Sequence, residues 1–231
     1  MCRADDVVVS IPRAESEKMV AMREGTNKMN RPTWDEYFLL LAKLVSARST
    51  CNSRKIGAVI VRKNRILATG YNGAVHGAPH CTDRGVDFCL RRSIGASDAD
   101  KYNYCISSHA EVNAIDQAAR FGISLEGASL YCTLEPCNWC FKQLIQAGIE
   151  EVYYEEPYES LNKEFDLYWR QIMQSKEAFR VFRQIKVSDE SLRFVLDILQ
   201  QTSTRKLSPT PADEQTTLRP DALAKILDVS R

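Results

Sequence analysis

Two short motifs constrain this chain more than any other feature of its sequence. The first is His-Ala-Glu at residues 109–111, and the second is Pro-Cys-Asn-Trp-Cys at residues 136–140. Zinc binds imidazole nitrogen and thiolate sulfur in a tetrahedral shell, and a catalytic site keeps one position open for water. The motifs supply three such ligands and one carboxylate that could transfer protons without being a ligand: His109, Cys137, Cys140 and Glu111. A fold that uses them must bring both motifs to one point.

Other interpretations of these motifs are weaker. A Cys-x-x-Cys pair in an intracellular protein can be a redox pair or half of a structural zinc site. A single histidine is more often a core residue than a ligand. The chain has only three histidines, however, and His109 stands directly before Ala-Glu. The ordered pair of motifs, each where a helix is expected to begin, favours a catalytic zinc site.

Composition and charge exclude several other classes of protein. A chain of 231 residues with 44% hydrophobic residues can bury one globular core. Its net charge of +1 predicts no broad basic surface, so we expect no binding to nucleic acid. We find no apolar run as long as a membrane span and no secretory signal. Eight cysteines indicate metal binding or catalysis before disulfides, and we expect a cytoplasmic protein.

The order of the predicted elements favours an α/β fold with three layers, α/β/α, around a mixed sheet of about five strands. Thr33 and Glu36 have the spacing of a capping box ahead of a first helix that ends near Ser49. Strands and helices then alternate. The predicted strands are 56–61, 66–69, 128–133, 151–154 and 179–187, and the predicted later helices are 109–120, 136–147, 165–173 and 192–199.

The chain is predicted to have one domain with two extensions. Residues 1–30 show no clear periodicity and form an N-terminal extension, and residues 31–201 form the zinc domain. Residues 202–231 indicate a C-terminal tail, in which Asp221 could cap a short helix. Residues 74–107 contain no long periodic segment, so we expect this loop to be functional or braced.

The sequence resembles the deoxycytidylate (dCMP) deaminase family, and its opening resembles the bacterial and phage branch. Both motifs match the His-x-Glu and Pro-Cys-x-x-Cys signature of zinc nucleobase deaminases. The similarity extends over residues 30 to 158 and rests on segments 31–37, 55–61, 70–73 (Gly-Tyr-Asn-Gly), 109–115 and 135–140. It implies a cytidine-deaminase-like fold and zinc-dependent hydrolysis of dCMP to dUMP and ammonia, which supplies thymidylate synthesis.

The resemblance also implies how ligands are bound. The backbone amide of Ala110 and the carbonyl of Glu135 would hold the pyrimidine, and Asn72 would lie at the nucleotide or at an effector. The family pattern implies a homo-oligomer, a hexamer or a dimer, that is activated by dCTP and inhibited by dTTP with Mg²⁺. The effectors would bind near Gly70, Tyr71, Asn72 and Gly73.

A second, structural zinc is predicted from four further cysteines around the long loop. Four thiolates in a closed tetrahedral site would brace such a loop. Their spacing alone is a weak signal, and the resemblance strengthens it: Cys51 and Cys81 match cysteines that bind a structural zinc in phage members. Cys89 and Cys105 match cysteines that are common in the bacterial branch. His80 is a reserve ligand, and buried free thiols are the alternative interpretation.

Related activities remain as alternatives. Free cytidine deaminases usually have a cysteine where His109 stands, riboflavin-pathway deaminases space their cysteines more widely, and transfer-RNA adenosine deaminases lack the Gly-Tyr-Asn-Gly segment. A deaminase of another small base or nucleotide, of dCTP or cytidine type, is the second hypothesis. A non-enzymatic binding module is disfavoured because Glu111 and all three ligands are present. The candidates for phosphate binding are Arg54, Lys55, Arg91, Arg92 and Lys101.

Overall fold

The computed structural model of the protein describes residues 31–97, 103–158, 163–175 and 177–201. The predicted N-terminal extension, the predicted tail and Lys101 lie outside these residues. The chain divides into two compact units, Met1–Phe194 and Val195–Arg231, and the candidate site lies in the first. None of the helices in the described segments has the length and apolar character needed to cross a membrane.

A five-stranded mixed sheet forms the centre of the fold. The described strands are β1 (Gly57–Arg62), β2 (Arg65–Tyr71), β3 (Gly73–Ala74), β4 (Ser107–Ser108), β5 (Ala128–Leu134), β6 (Ile149–Glu156) and β7 (Val181–Gln184). The order in the central sheet is β2-β1-β5-β6-β7. Strand β1 is antiparallel to β2 and β5, whereas β5, β6 and β7 are parallel. This arrangement confirms the predicted mixed sheet.

Helices cover both faces of this sheet. The described helices are α1 (Trp34–Ser46), α2 (Leu90–Ser93), α3 (Ala110–Arg120), α4 (Asn138–Gln146), α5 (Lys163–Met173) and α6 (Asp189–Gln200). Side chains of a strand alternate between faces, so Val59 packs with Phe38 of α1, while Ile60 packs with the cluster of α3 and α4. The predicted three layers are therefore confirmed.

Two glycines let helices lie very close to the sheet. A Cβ atom on Gly57 would lie 2.0 Å from the carbonyl oxygen of Ala42 in α1. A Cβ atom on Gly70 would lie 2.1 Å from the carbonyl oxygen of Ala110 and 2.5 Å from the nitrogen of Ala114, both in α3. Only glycine allows these approaches. Gly70 therefore sets how closely the first turn of α3 lies against β2.

The ends of several predicted elements differ from the structure. The capping box of Thr33 and Glu36 is present at the start of α1, but this helix ends at Ser46 because the next three amides bond to carbonyls three residues back. Helix α4 begins at Asn138, so Pro136, which was predicted to lie in its first turn, precedes the N-cap residue Cys137. Strand β7 ends at Gln184, before the predicted boundary.

The long loop is less irregular than predicted. Its ends are paired, because β3 and β4 form a two-stranded sheet, and it contains a 3₁₀ helix at Cys81–Arg84 and the short α2. The side-chain nitrogen of Asn52 lies 3.1, 2.7 and 3.0 Å from the carbonyl oxygens of Cys81, Gly85 and Phe88. Asn52, a residue that the sequence analysis did not single out, therefore braces the loop.

Candidate active site

The three predicted zinc ligands meet where two helices begin. His109 is the N-cap residue of α3 and makes no capping bond with its side chain, and Cys137 is the N-cap residue of α4. The Nδ1 atom of His109 lies 3.2 Å from the Sγ atom of Cys140 and 3.5 Å from that of Cys137. The two sulfurs are 3.8 Å apart. Among the described residues, these three side chains form a group that could hold a metal ion, because their ligand atoms all lie within 4.8 Å of one another.

These distances fit a tetrahedral zinc ion. With Zn–S bonds of about 2.3 Å and a Zn–N bond of about 2.0 Å, a tetrahedron places the sulfurs about 3.8 Å apart and nitrogen about 3.5 Å from each sulfur. The separations in the structure are close to these values. One nitrogen and two sulfurs occupy three corners, so the fourth corner remains for water or substrate.

The local charges favour a thiolate at Cys137. Hydrogen bonding with Cys140 lowers the pKa of the Cys137 thiol, the nearby His109 lowers it further, and burial opposes both effects. The same hydrogen bond, together with burial, raises the pKa of Cys140. Both sulfurs also lie at the start of α4, where the helix dipole stabilises negative charge. Cys137 is therefore held close to the thiolate form, which is the form that binds a metal ion.

Glu111 is a buried carboxyl group beside these ligands. It lies in the first turn of α3 and is only 4% exposed. Burial raises the pKa of Glu111 to about 7, although the positive charge of His109 opposes the increase. A carboxyl group with such a pKa can both accept and donate a proton near neutral pH.

His109, Cys137 and Glu111 line a cavity of about 350 Å³, whereas Cys140 is fully buried and is not part of its wall. Polar and charged residues form much of the remaining wall, and three arginines are among them. The lining includes Arg54, Arg91, Arg92, Ser53, Asn72, Ser107, Glu135 and Tyr158. Of the predicted phosphate-binding candidates, the structure therefore brings Arg54, Arg91 and Arg92 to the cavity. Lys55 instead donates a hydrogen bond to the carbonyl oxygen of Ser49, at 2.8 Å.

The predicted pyrimidine-binding residues lie at this cavity or next to it. Ala110 is fully buried and is the first residue of α3. The backbone amides of the first turn of a helix have no hydrogen-bond partner within the helix. Glu135 lines the cavity, and its carboxylate is turned towards Arg170, with an N–O distance of 2.7 Å. Neither position depends on its side chain for the predicted contact, which is made by the backbone.

Asn72 lines the cavity but has a structural role as well. Its Oδ1 atom accepts hydrogen bonds from the Ser49 hydroxyl at 2.7 Å and from the Ile56 amide at 2.9 Å. Its Nδ2 atom donates to the carbonyl oxygen of Arg54 at 2.9 Å. Asn72 therefore holds the segment that carries Arg54, and its contact with a nucleotide stays a prediction.

The predicted effector segment, Gly70 to Gly73, is the end of β2 and the start of β3. Neither Gly70 nor Gly73 has the positive φ of a left-handed conformation. The close approach that Gly70 permits is to helix α3, where the sequence analysis expected a ligand. Tyr71 accepts a hydrogen bond from Asn113 of α3 with its carbonyl oxygen, at 2.7 Å.

The four cysteines of the predicted structural zinc site lie in one region. Cys51, Cys89 and Cys105 line the cavity. Cys81 is buried, and burial raises its pKa, with a further increase from the charges of the other three cysteines. In the described residues, no three of these sulfurs lie within 4.8 Å of one another. The structure thus gathers the four thiols without forming a closed ligand set.

Several residues that line the cavity or support its wall were not found from the sequence. The hydroxyl oxygen of Ser107 is buried, and it makes no hydrogen bond to any of the residues that the structure describes. Tyr158 and Arg170 hold Glu135. Their only sequence signal is residue type, because serine, tyrosine and arginine at isolated positions have many other uses.

A His-Cys-Cys set with an adjacent buried carboxyl group defines a site for zinc-assisted hydrolysis. Comparison with known proteins agrees with this class. The family model for the cytidine and deoxycytidylate deaminase zinc-binding region matches residues 32–156, more than half of the chain. The protein therefore belongs to the cytidine and deoxycytidylate deaminase family.

Individual relatives extend this result. ComE operon protein 2 of Bacillus subtilis is 41% identical over 57% of this chain and 64% of its own length. The chain thus spans less than two thirds of that relative. The deoxycytidylate deaminase of Mycobacterium phage D29 is 44% identical over 54% of this chain and 97% of its own length. The solved structure of cyanophage S-TIM5 dCMP deaminase with dCMP and dUMP is 29% identical, has a TM-score of 0.48, and covers 65% of this chain and 95% of that chain.

Proposed function

We propose that the protein hydrolyses dCMP to dUMP and ammonia with the help of one zinc ion. The observation that carries this proposal is that one cavity is lined by His109 and Cys137 of the His-Cys-Cys set, by the buried Glu111 and by three arginines. A metal site with a proton carrier suits hydrolytic deamination, and the arginines suit a phosphorylated substrate. The similarity to the phage D29 protein, which is named deoxycytidylate deaminase, supports dCMP as that substrate.

The residues of this chain divide the chemistry between them. His109, Cys137 and Cys140 would hold zinc, which when bound lowers the pKa of a water molecule towards neutrality. Glu111 takes a proton from the attacking water and passes it to the ring nitrogen N3, and it then carries the proton of the new C4 hydroxyl to the departing amine. The C4–N bond breaks, a C4–O bond replaces it, and ammonia leaves. The backbone amide of Ala110 and the carbonyl of Glu135 hold the pyrimidine during these steps.

We assign the phosphate to the arginine side of the cavity. Arg54, Arg91 and Arg92 line it, and Arg92 donates a hydrogen bond to the Ser53 hydroxyl at 3.2 Å, which orients its guanidinium group. The buried hydroxyl of Ser107 is available as a further donor. Planar guanidinium groups bind phosphate oxygens with paired hydrogen bonds. This side of the cavity would select a nucleotide over a nucleoside.

Ammonia release by the purified protein tests the proposal. We expect turnover of dCMP, with kcat/KM at least about tenfold higher than for cytidine. Arg92→Gln should lower kcat/KM for dCMP while changing that for cytidine little. The matched control is Arg65→Gln, which replaces an exposed arginine at the start of β2. If dCTP, cytidine or adenosine in transfer RNA is turned over faster than dCMP, that compound is the substrate and dCMP is not. No turnover of any of these would overturn the enzymatic function.

We also propose that Cys51, Cys81, Cys89 and Cys105 bind a second, structural zinc. Their gathering beside the cavity supports this proposal. The pKa of Cys89 supports it as well: burial raises this pKa, but hydrogen bonds from the backbone of Arg92 and the side chain of Arg91 outweigh burial and lower it. Closure of the site would draw the four sulfurs together. Metal analysis should give two zinc ions per chain, and Cys81→Ser should leave one. One zinc per chain in fully active wild-type protein, unchanged by this substitution, would reject the second site.

Regulation is a separate proposal. We infer that the protein is a homo-oligomer, a hexamer or a dimer, that dCTP activates and dTTP inhibits with Mg²⁺, through the segment Gly70 to Gly73. Because this segment touches the first turn of α3, an effector bound there could change the position of Glu111. Dependence of dCMP kinetics on either triphosphate supports regulation, and unchanged hyperbolic kinetics would argue against it.

We also place the protein in the cytoplasm. Cys137 and Cys140 form no disulfide, which suits a reducing compartment.

A further inference from the structure

A buried ion pair supports the cavity from behind. The side chain of Glu135 is only 1% exposed, and its Oε1 atom accepts a hydrogen bond from Arg170 Nη1 at 2.7 Å. Its Oε2 atom accepts a hydrogen bond from the amide of Tyr158 at 2.9 Å. A second nitrogen of the same guanidinium group, Nη2, donates to the carbonyl oxygen of Tyr158 at 2.7 Å. Arg170 therefore joins Glu135 to Tyr158 through two hydrogen bonds, and the Tyr158 amide adds a third directly to Glu135.

These contacts reach the cavity only through other residues. Glu135 and Tyr158 both line it, whereas Arg170 is not part of its wall. Glu135 also donates its amide to the carbonyl oxygen of Glu156 at 2.8 Å, and it stands two residues before Cys137. The ion pair thus fixes a backbone segment that runs directly into a metal ligand.

Helix α5, which carries Arg170, is held against the helix of the metal ligands. The ring of Trp169 packs edge-on against Phe141 of α4, with centroids 5.7 Å apart, and Lys142 lies 5.0 Å from the Trp169 ring centre. Met173 is buried in the main core. The helix lies beyond residues 32–156, which match the family model. Its position is set by the contacts of Trp169 and Met173 described above.

We propose that Arg170 is a positioning residue that sets the base-binding edge of the cavity through Glu135 and Tyr158. The proposal rests on the function proposed above, in which the Glu135 carbonyl holds the pyrimidine. An isolated carboxylate as deeply buried as Glu135 is unstable without a partner. The planar fork of arginine satisfies the carboxylate and the Tyr158 carbonyl at once. Lysine would supply the charge without this fixed geometry.

Kinetics of full-length Arg170→Gln and Arg170→Lys separate positioning from simple stabilisation. The control is Arg180→Gln, which removes an exposed ion pair with Glu150 and Glu151. We expect Arg170→Gln to raise KM for dCMP about tenfold or more with kcat within about threefold, because the carbonyl contact is made in the ground state and transition state alike. Arg170→Lys should keep the thermal midpoint near that of wild type and still raise KM about threefold. Arg180→Gln should leave KM unchanged.

A KM for Arg170→Lys equal to that of wild type would overturn the proposal, since charge alone would then suffice. If Arg170→Gln fails to fold, the lysine variant carries the test. If wild-type protein does not turn over dCMP, the proposed function fails, and the spectrum of cobalt bound in place of zinc decides on positioning. A shift of the cobalt bands in Arg170→Lys would then support the role of Arg170 next to the metal ligands, and an unchanged spectrum would reject it.

Discussion

At the scale of single residues, the proposed reaction depends on one carboxyl group that is buried beside three metal ligands. Glu111 is held in the first turn of α3, two residues after His109, so the helix fixes its distance from the ligand set. It lines the cavity and lies outside the ligand set, as its proposed role of proton carrier requires. Removal of its charge should therefore affect chemistry and leave metal binding intact.

Glu111→Gln tests this separation. The amide keeps the shape of the side chain but cannot carry a proton, so we expect kcat to fall by about a hundredfold or more. Zinc content, measured by metal analysis, should equal that of wild type. Asp116→Asn removes an exposed carboxylate from the same helix and should leave kcat unchanged. Activity of Glu111→Gln within about tenfold of wild type would remove Glu111 from the mechanism.

At the scale of elements, the site depends on how closely α3 lies against β2. His109 and Glu111 are placed by the start of α3, and Gly70 permits the contact between this start and the sheet. The contact is between backbones, so side-chain rearrangement cannot relieve a larger residue at position 70. Fold and site are coupled at this glycine.

Gly70→Ala should therefore harm both stability and activity. Overpacking at such a contact costs about 1–3 kcal/mol or more in the free energy of unfolding, which denaturant titration measures. Gly95→Ala is the control, since a Cβ there meets no atom within 4 Å and only its positive φ is unfavourable. We expect Gly95→Ala to cost about 1 kcal/mol and to preserve kcat. Equal losses in the two variants would show that the close contact has no special importance.

The start of α1 is joined to the start of α6 by a second element-scale contact. Glu36 accepts hydrogen bonds from the amide of Ser188 at 3.0 Å and from its hydroxyl at 2.6 Å. Burial by itself raises the pKa of Glu36, but the hydrogen bonds from Ser188 and Thr33 outweigh it and lower the pKa to about 2. The ionised carboxylate is therefore the form that stabilises the folded protein.

This lowered pKa predicts how the contact depends on pH. Its stabilising contribution is complete above the unfolded-state pKa of about 4.5 and is lost as the pH falls towards about 2. Wild type should therefore be more stable than Glu36→Gln above pH 5, and the two should converge in strong acid. Thermal midpoints of both proteins between pH 2 and pH 7 measure this difference. A constant difference across that range would contradict the assignment.

At the scale of the whole molecule, the site needs more of the chain than the segment that matches the family. Helix α5 contributes Arg170 to the buried Glu135 and covers Phe141 of α4 with Trp169. We propose that residues 31–201 form the functional domain, because this range includes the sheet, both layers of helices and the ion pair. The rest of the chain has no residue in the proposed mechanism.

Two fragments test this organisation. Residues 31–201 should fold, bind zinc and keep kcat and KM for dCMP near those of the full chain. Residues 31–158 should be unstable, because Glu135 would be buried without Arg170, and breaking a buried pair in this way costs about 3–5 kcal/mol. Circular dichroism and thermal unfolding compare the two. A stable and active 31–158 fragment would show that α5 is dispensable.

The local chemistry of the site was readable from the sequence, because its main residues are close together along the chain. The histidine, the two cysteines and Glu111 lie in two motifs whose spacing places them at helix starts, and alternating hydrophobic runs predicted the layers of the fold. The capping box of Thr33 and Glu36 is equally local, and it is present. Such features depend on a few consecutive residues and their backbone geometry.

The supports of the site were decided only by tertiary packing. Asn52 and Phe88 are 36 residues apart, and Arg170 and Glu135 are 35 residues apart. Nothing in either pair marks it as a partner, since asparagine and arginine have many local uses. Such contacts depend on which surfaces the folded sheet and helices bring together, and a pattern of short period carries no information on these distances.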